Sequence, residues 1–526
     1  MSRDFDIAVV GSGFAGSLFA LVARSVGRSV VLIEKGTHPR FAIGESSSPL
    51  ANLLLEELCD RYDLPRLKPL AAWGTWQRAY PEIGCGLKRG FTFYGHRPGQ
   101  PFAANRERRD QLLVAASPRD EVADTHWYRA DFDHFLVREA QAAGAEYLDQ
   151  TRLESFHAPG NGGVLEGDRR GKRISLKARF VVDASGPRGF LHRALGLPEA
   201  MFRGFLPTQG LYTHFEGVER LDEMGIFVSP ERPPYPTDDA AVHHVLENGW
   251  VWVLRFANGI VSAGVAAAPQ LASRVSLGDG AAAWERLLSL YPTLEEQFAR
   301  ARPVLPFAHS ALLPFRSGAA AQPGWALLPS AAAFVDPLLS TGIPLALLGI
   351  QRLAEAVERH WDRPSFDEAL ARYAASTLAD ADSAALLIAA LYATFSDFEL
   401  FAALCLLYFT AASFTEAAHR LGHAELAGSV LSRDHPVFGP ALRSCCEEVL
   451  ESRGRGRLTR LERGRLMAKI YRAIEPLDVA GLGNRSRRNW HPVEAGPLLE
   501  AAHTLGATEE EIQAMLERAG FFPEAA

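Results

Sequence analysis

The chain opens with a short unbroken apolar run, Asp6 to Val10 (DIAVV), of the kind that fills a strand buried on both faces of a parallel sheet. Gly11-Ser12-Gly13-Phe14-Ala15-Gly16 follows at once, then helical spacing over 17–26 and a second apolar run over 29–34 that ends on Glu34. Together these predict a β-α-β unit. Further along, the spacing predicts helices over 132–143, 279–291 and 344–359, the second with Asp279 as its N-cap, and strands over 180–183, 210–215, 242–256 and 325–328. From about Phe366 the strand signals fade and helical patterning runs to the end, which divides the chain into residues 1–365 and 366–526. The longest charge-free apolar stretch lies between Glu399 and Glu416 and contains Thr410, Ser413 and Thr415. It falls short of the roughly 20 residues that span a bilayer, so it predicts a buried helix and no integral membrane segment. Gly160 to Val164 predicts a simple turn, and no long internal repeat is visible.

Composition narrows the function. The 526 residues suit two or three domains or one large enzyme, and 48% apolar against 22% charged residues can bury a sizeable core. A net charge of −7 leaves no global basic field for nucleic acid or an anionic membrane. The basic run from Arg453 to Arg465 includes Leu and Glu and predicts a solvated helix face rather than an RNA contact. Five cysteines without a C-x-x-C pair support neither a disulfide framework nor a thiolate zinc site, and Cys445-Cys446 predict thiols without function. His126, His134, His243 and His244 lack metal-ligand spacing and predict structural roles, so no metal is expected. The polar start, Met1 to Asp6, runs directly into a strand without the charged and apolar regions of a signal peptide, which points to the cytoplasm.

A lone G-x-G-x-x-G is a weak signal in a chain with 45 glycines, but its place between strand and helix strengthens it. The first glycine turns the chain, the second lets a pyrophosphate approach the backbone, and the third lets helix and strand pack closely. The helix N-terminus stabilises phosphate charge. Glu34, 18 positions after Gly16, suits the adenosine ribose hydroxyls.

Three further segments specify the dinucleotide. His38-Pro39-Arg40-Phe41-Ala42-Ile43-Gly44-Glu45-Ser46 follows the second strand, Val181-Val182-Asp183-Ala184-Ser185-Gly186 lies mid-chain, and Phe334-Val335-Asp336-Pro337-Leu338-Leu339-Ser340-Thr341-Gly342-Ile343 comes later. Over residues 5–360 this set resembles the FAD-dependent monooxygenase fold and, within it, the flavin-dependent halogenases. The resemblance implies an α/β, Rossmann-like FAD-binding domain (α+β elaborated) with an inserted substrate-side β-sheet and a C-terminal helical region. It implies FAD held by Gly11, Gly13, Phe14, Ala15, Gly16, Glu34, Lys35, Glu45, Ser46, Arg129, Asp183, Gly186, Asp336, Gly342 and Ile343. Asp336 would lie near the ribityl chain, and the backbone at Thr341 and Gly342 would also hold a halide.

Gly86-Leu87-Lys88-Arg89-Gly90-Phe91 is similar to the halogenase segment that carries the catalytic lysine, with Arg89 a competing assignment for Lys88. A hypohalous acid must be kept from water and delivered to one ring carbon. An ammonium can hydrogen-bond it, or a neutral amine can be halogenated and pass the halogen on; burial favours the second route by lowering the lysine pKa. The sequence also departs from the family. W-x-W-x-I-P reads Trp250-Val251-Trp252-Val253-Leu254-Arg255, whose tryptophans share one strand face and suit core packing as well as function. A glycine-aspartate pair has become Pro329-Ser330, and Leu339 replaces the glutamate of tryptophan halogenases, which implies a phenolic or pyrrolic acceptor. The aromatic stripe Tyr392, Phe395, Phe398, Phe401, Tyr408, Phe409 and Phe414 suits a core face or a cap over an acceptor pocket.

The leading expectation is therefore a halogenase-like oxidoreductase using FADH2, O2 and halide on a small aromatic substrate, free or carrier-tethered. A single dinucleotide motif implies a separate NAD(P)H-dependent flavin reductase. The alternatives are a monooxygenase or prenyl-chain reductase on the same scaffold, or a flavoprotein that only binds.

Overall fold

In the computed structural model, which describes residues 3–157, 162–225, 231–453 and 458–522, Arg3–Val10 lies inside the first sheet. Its neighbours on both sides are equally apolar. Val9 stands opposite Leu32 of the parallel strand Val30–Ile33 and opposite Val182 of the parallel strand Lys172–Asp183. Trp325–Leu327 and Glu146–Leu148 extend the sheet in parallel at either side. Helices Phe14–Ser25, Arg129–Ala142 and Gly342–His360 bury Leu18, Leu136 and Leu347 against Ile7, Val9 and Val182 on one face. With the predicted β-α-β unit in place, the C-terminal ends of these parallel strands open toward one cleft, where ligands bind in such folds.

The inserted second sheet has Gly249–Arg255 antiparallel to both Ala241–Leu246 and Val261–Ala267. Gly90–Gly95 and Gln111–Ala115 continue it, and Trp490–His491, from near the chain end, pairs in parallel with Gln111–Ala115. Both faces are covered, which is why these strands read as continuous apolar runs. Trp250, Trp252 and Leu254 face the helical side, whereas Val251 and Val253 pack toward Leu271, Trp284 and Leu287.

The long helix Phe366–Thr394 joins the two cores: Leu370 and Tyr373 belong to the first, Ala384 through Tyr392 to the second. Phe398–Arg420 then lies across the second sheet, with the Phe401 ring 5.7 Å from Phe93 and the Phe409 ring 5.0 Å from Phe91. Its start is fixed by Asp397, which accepts from the Leu400 amide at 3.2 Å and from Arg463 at 2.6 and 2.8 Å. Both helices are long and apolar enough to cross a bilayer, more so than the sequence alone suggests. In the fold they pack against protein, and 83% of the apolar window of Phe398–Arg420 is buried.

Two local expectations change. The first helix begins at Phe14, directly on the glycine turn, rather than at Ser17. Asp279 caps nothing: the helix is Ala281–Ser289 with Gly280 at its N-cap, because the Asp279 carboxylate turns to the Arg286 guanidinium at 2.5 Å. Gly160 and Asn161 of the predicted turn, and 454–457 of the basic run, lie outside the described residues.

Candidate active site

The glycine turn, the long strand and the loop before Gly342–His360 enclose a cavity of about 560 Å³ between the two sheets. The three glycines differ in what constrains them. Gly11 has φ +100°, and a Cβ there would sit 2.7 Å from the Ala184 carbonyl oxygen. A Cβ on Gly16 would lie 1.9 Å from the Gly11 oxygen, so this is where helix and strand touch. A Cβ on Gly13 would meet nothing nearer than Arg129 Nη2 at 3.5 Å. The protein itself therefore requires the first and third glycines, while the second leaves open space at a helix N-terminus, facing the cavity.

Glu34 closes the turn from behind. The Ser12 amide (3.1 Å) and hydroxyl (3.0 Å) and the Gly36 amide (2.9 Å) donate to its carboxylate, with Arg40 at 3.5 Å. Burial alone would raise its pKa, yet Arg40 and these donors hold it below the ordinary value, so it stays ionised. Arg129 lines the cavity and is bound through both Nε and Nη2 to Asp133 at 2.7 and 2.9 Å. Its Nη1 donates to the Ile43 and Gly44 carbonyls at 2.9 Å each, which ties the 38–46 loop to helix Arg129–Ala142. Glu45 and Ser46 line the same cavity; Glu45 pairs with His214 at 2.7 Å. Glu45 Oε2, Ser46 Oγ and Arg40 Nε are buried without a hydrogen-bond partner. Open space at Gly13, orphaned polar atoms and two helix N-termini fit an elongated anionic dinucleotide.

At the opposite end, Asp336, Thr341, Gly342 and Ile343 line the cavity. The Asp336 carboxylate is clamped from three sides: Trp250 Nε1 donates at 3.1 Å, the Tyr392 hydroxyl at 2.8 Å and the Leu338 amide at 3.0 Å. Burial raises its pKa to about 6 against these donors. Leu339 and Ser340 take left-handed φ values of 64° and 55°, a costly conformation for side-chain-bearing residues that persists where the surroundings fix it. Trp250 is thus not core filling alone, and Tyr392 of the aromatic stripe holds a carboxylate that lines the cavity. Neither contact was readable from spacing.

Lys88 lines neither this cavity nor the next and is fully buried. Its Nζ donates to the Ser47 carbonyl and sits 3.8 Å from the centre of the Phe91 ring. Asp124 is its cross-strand partner in the Cys85–Lys88 and Asp124–Trp127 pair. Burial drives the ammonium down to about 7 with Asp124 opposing, and drives Asp124 up to about 8 with Lys88 opposing. Asn52 holds Asp124 Oδ1 at 3.1 Å. His126 and His243, expected to be structural, flank the lysine; both are kept neutral, first by burial and also by the lysine's charge.

His243 lines the first cavity and stacks 4.3 Å from Phe93, while Phe91 lines a second cavity of about 160 Å³ under helix Phe398–Arg420. Lys88 therefore stands between the two cavities. Arg89 turns away to Asp120 at 2.6 Å and to the Pro118 carbonyl at 2.8 Å. Two residues that the resemblance assigns to the cofactor lie off the cavity. Lys35 is solvent-exposed and outside the cavity, because the strand ends at Ile33 and points it outward. Asp183 spends its carboxylate on Ser185 (2.8 and 2.6 Å) and the Leu191 amide (2.6 Å), so it fixes the turn rather than facing a ligand. Among the described residues no group of three or more His, Cys, Asp or Glu is placed to hold a metal.

The family model for FAD-dependent oxidoreductases matches residues 6–319. Monodechloroaminopyrrolnitrin halogenase PrnC of Pseudomonas fluorescens is 29% identical over 409 residues, 76% of this chain and 70% of that protein. Tetracycline 7-halogenase of Kitasatospora aureofaciens is 28% identical over 65% of this chain and 61% of its own length. The crystal structure of halogenase PltM superposes with a TM-score of 0.80 at 25% identity, covering 92% of this chain and 99% of that one. PltM has also been crystallised with phloroglucinol and FAD. The chain belongs to the FAD-dependent oxidoreductase family, as a flavin-dependent halogenase-like enzyme whose cofactor is FAD.

Proposed function

We propose that this enzyme halogenates an electron-rich, phenolic arene, with its reduced flavin delivered by a separate NAD(P)H-dependent reductase. The observation that carries the reading is the position of Lys88, dehydrated and held between a cofactor-sized cavity and a smaller aromatic one. Bound and reduced FAD supplies the activation of dioxygen that oxidises halide. The protein's share begins with Gly13, Arg40, Glu34, Arg129 and the amides of the first helix, which bind and orient the adenylate end. At the other end, the backbone at Thr341 and Gly342, at the N-terminus of a 19-residue helix, favours a bare anion without offering a titrating proton.

Trp250, Trp252, Leu254 and the neutral His243 form the wall of the cavity there and keep bulk water, into which hypohalous acid would be lost by diffusion, out of its path. Lys88, with a pKa near 7, presents an amine fraction at neutral pH that can carry the halogen toward the second cavity. Residues 366–526 serve as the cap that encloses that cavity through Tyr408 and Phe409. The departures from the family pattern leave this reading intact. Arg255 points away to Asp238 at 2.7 Å and the Val218 carbonyl at 3.0 Å, and Pro329-Ser330 still line the first cavity. Leu339 is fully buried and apolar, consistent with a phenol rather than tryptophan.

The test is mass spectrometry of products formed with an FAD reductase, NADH, bromide and a phenol panel. A bromine isotope doublet is expected; a gain of one oxygen, indifferent to bromide, would replace this reading with a monooxygenase.

A further inference from the structure

The second cavity contains polar groups that its apolar walls leave without partners. It is bounded by Phe91, Tyr408, Phe409 and Met515, with the Arg420–Glu416 ion pair in its wall, and three buried polar side chains line it: His491, 2% exposed, and Ser117 and Ser48, each 4% exposed, of which Ser48 already accepts from the Ala51 amide. Neither His491 ring nitrogen nor the Ser117 hydroxyl has a hydrogen-bond partner. Buried polar atoms are almost always paired, so three unpaired ones on side chains that line one cavity call for a ligand that pairs them.

The delivery of His491 is itself specific. Trp490–His491 adds to the edge of the second sheet, with His491 opposite Val114. Alternation along this strand sends Trp490 to the far side, where Arg108 stacks 3.5 Å from its ring, and His491 into the cavity. Burial, and secondarily the charge of Arg487, lowers the His491 pKa to about 3, so the ring is neutral and offers one donor and one acceptor.

We infer that His491, with Ser117, anchors a hydroxyl group on the acceptor ring, so that the second cavity selects neutral phenols. The inference rests on the reading of this cavity as the acceptor chamber. A hydroxyl both donates and accepts, matching a neutral imidazole and a serine hydroxyl together; a pyrrole N–H only donates, and an aryl ether only accepts. A hydrogen bond accepted by His491 also draws the phenolic proton away from oxygen and leaves its lone pairs to the ring, which favours attack on an electrophilic halogen. His491 is thus a specificity and positioning residue.

The test measures binding of resorcinol and of 1,3-dimethoxybenzene to the FAD-loaded full chain by calorimetry, without halide or turnover. Resorcinol is expected to bind at least ~10-fold more tightly than its ether, the worth of one to two hydrogen bonds. His491→Phe should erase that preference, His491→Gln should retain most of it, and Ser117→Ala should reduce it several-fold. Equal binding of the two probes by wild type, no binding of resorcinol, or a preference that survives His491→Phe would overturn the inference. Failure of the halogenase reading shows itself separately, as no bromination of added monochlorodimedone by wild-type enzyme with reductase and bromide.

Discussion

Adding one methyl group at Gly13 and at Gly16 separates what the fold needs from what the cofactor needs. Gly16→Ala would drive a Cβ to within 1.9 Å of the Gly11 carbonyl and 2.9 Å of Ala184 Cβ, so the strand and helix must part by more than an ångström. Overpacking against backbone of this kind costs about 3 kcal/mol or more, and the apo-protein should lose that much stability. Gly13→Ala meets only side-chain atoms at 3.5 Å and beyond, and its φ of −67° suits alanine. Apo-protein stability should therefore stay within about 1 kcal/mol of wild type. Its Cβ would instead occupy the approach of the FAD pyrophosphate to the first helix. Loss of one charge-assisted hydrogen bond there, about 1.5–3 kcal/mol, corresponds to a roughly 10- to 100-fold weaker FAD complex. Urea unfolding of the apo-proteins gives the first quantity and flavin fluorescence quenching the second. If Gly13→Ala binds FAD like wild type, or destabilises the apo-protein as much as Gly16→Ala, the division of roles between the two glycines is wrong.

Lys88→Met, which fills the same space without an amine, should keep FAD binding and monochlorodimedone bromination while abolishing brominated phenol; surviving phenol bromination would remove Lys88 from the reaction. Because burial places the Lys88 pKa near 7, the amine fraction grows as pH rises, so phenol bromination per hypobromite formed should increase through pH 7, and a decrease would favour the ammonium as the active form. Tyr392→Phe removes a donor at 2.8 Å from Asp336, whose carboxyl sits near pKa 6; unfolding measured at pH 8, where that group is ionised, should show a loss of about 1.5–3 kcal/mol, and an unchanged midpoint would refute the clamp.

Much of the cofactor end is legible in the chain because its signals are local. Gly11, Gly13 and Gly16 are confined to a six-residue turn, and the apolar runs over 6–10 and 29–34 that bracket the turn and its helix read as buried strands. The 38–46 segment and the loop from Asp336 to Ile343 are also contiguous, so their resemblance to a known family survives without coordinates. Lys35, directly after the second strand, and Asp183, in the mid-chain 181–186 segment, were assigned by the same resemblance yet do not face the cavity, since proximity in sequence does not fix where a side chain points. Hydrogen bonding to Ser185 and Leu191 decides Asp183.

By itself the sequence determined a β-α-β dinucleotide turn, a mixed sheet domain and a helical C-terminal region, because periodicity and short motifs are properties of neighbouring residues; the flavin followed from the resemblance those motifs carry to a known family. Only the tertiary structure decided that Trp250 and Tyr392, 142 positions apart, grip the same carboxylate, and that Lys88 lies dry between two cavities with His126 and His243 beside it. The same is true of His491, which a two-residue strand carries into a cavity opposite Val114, far earlier in the chain. Burial and pairing across such distances arise from how sheets and helices close on one another, and no local pattern of residues encodes them.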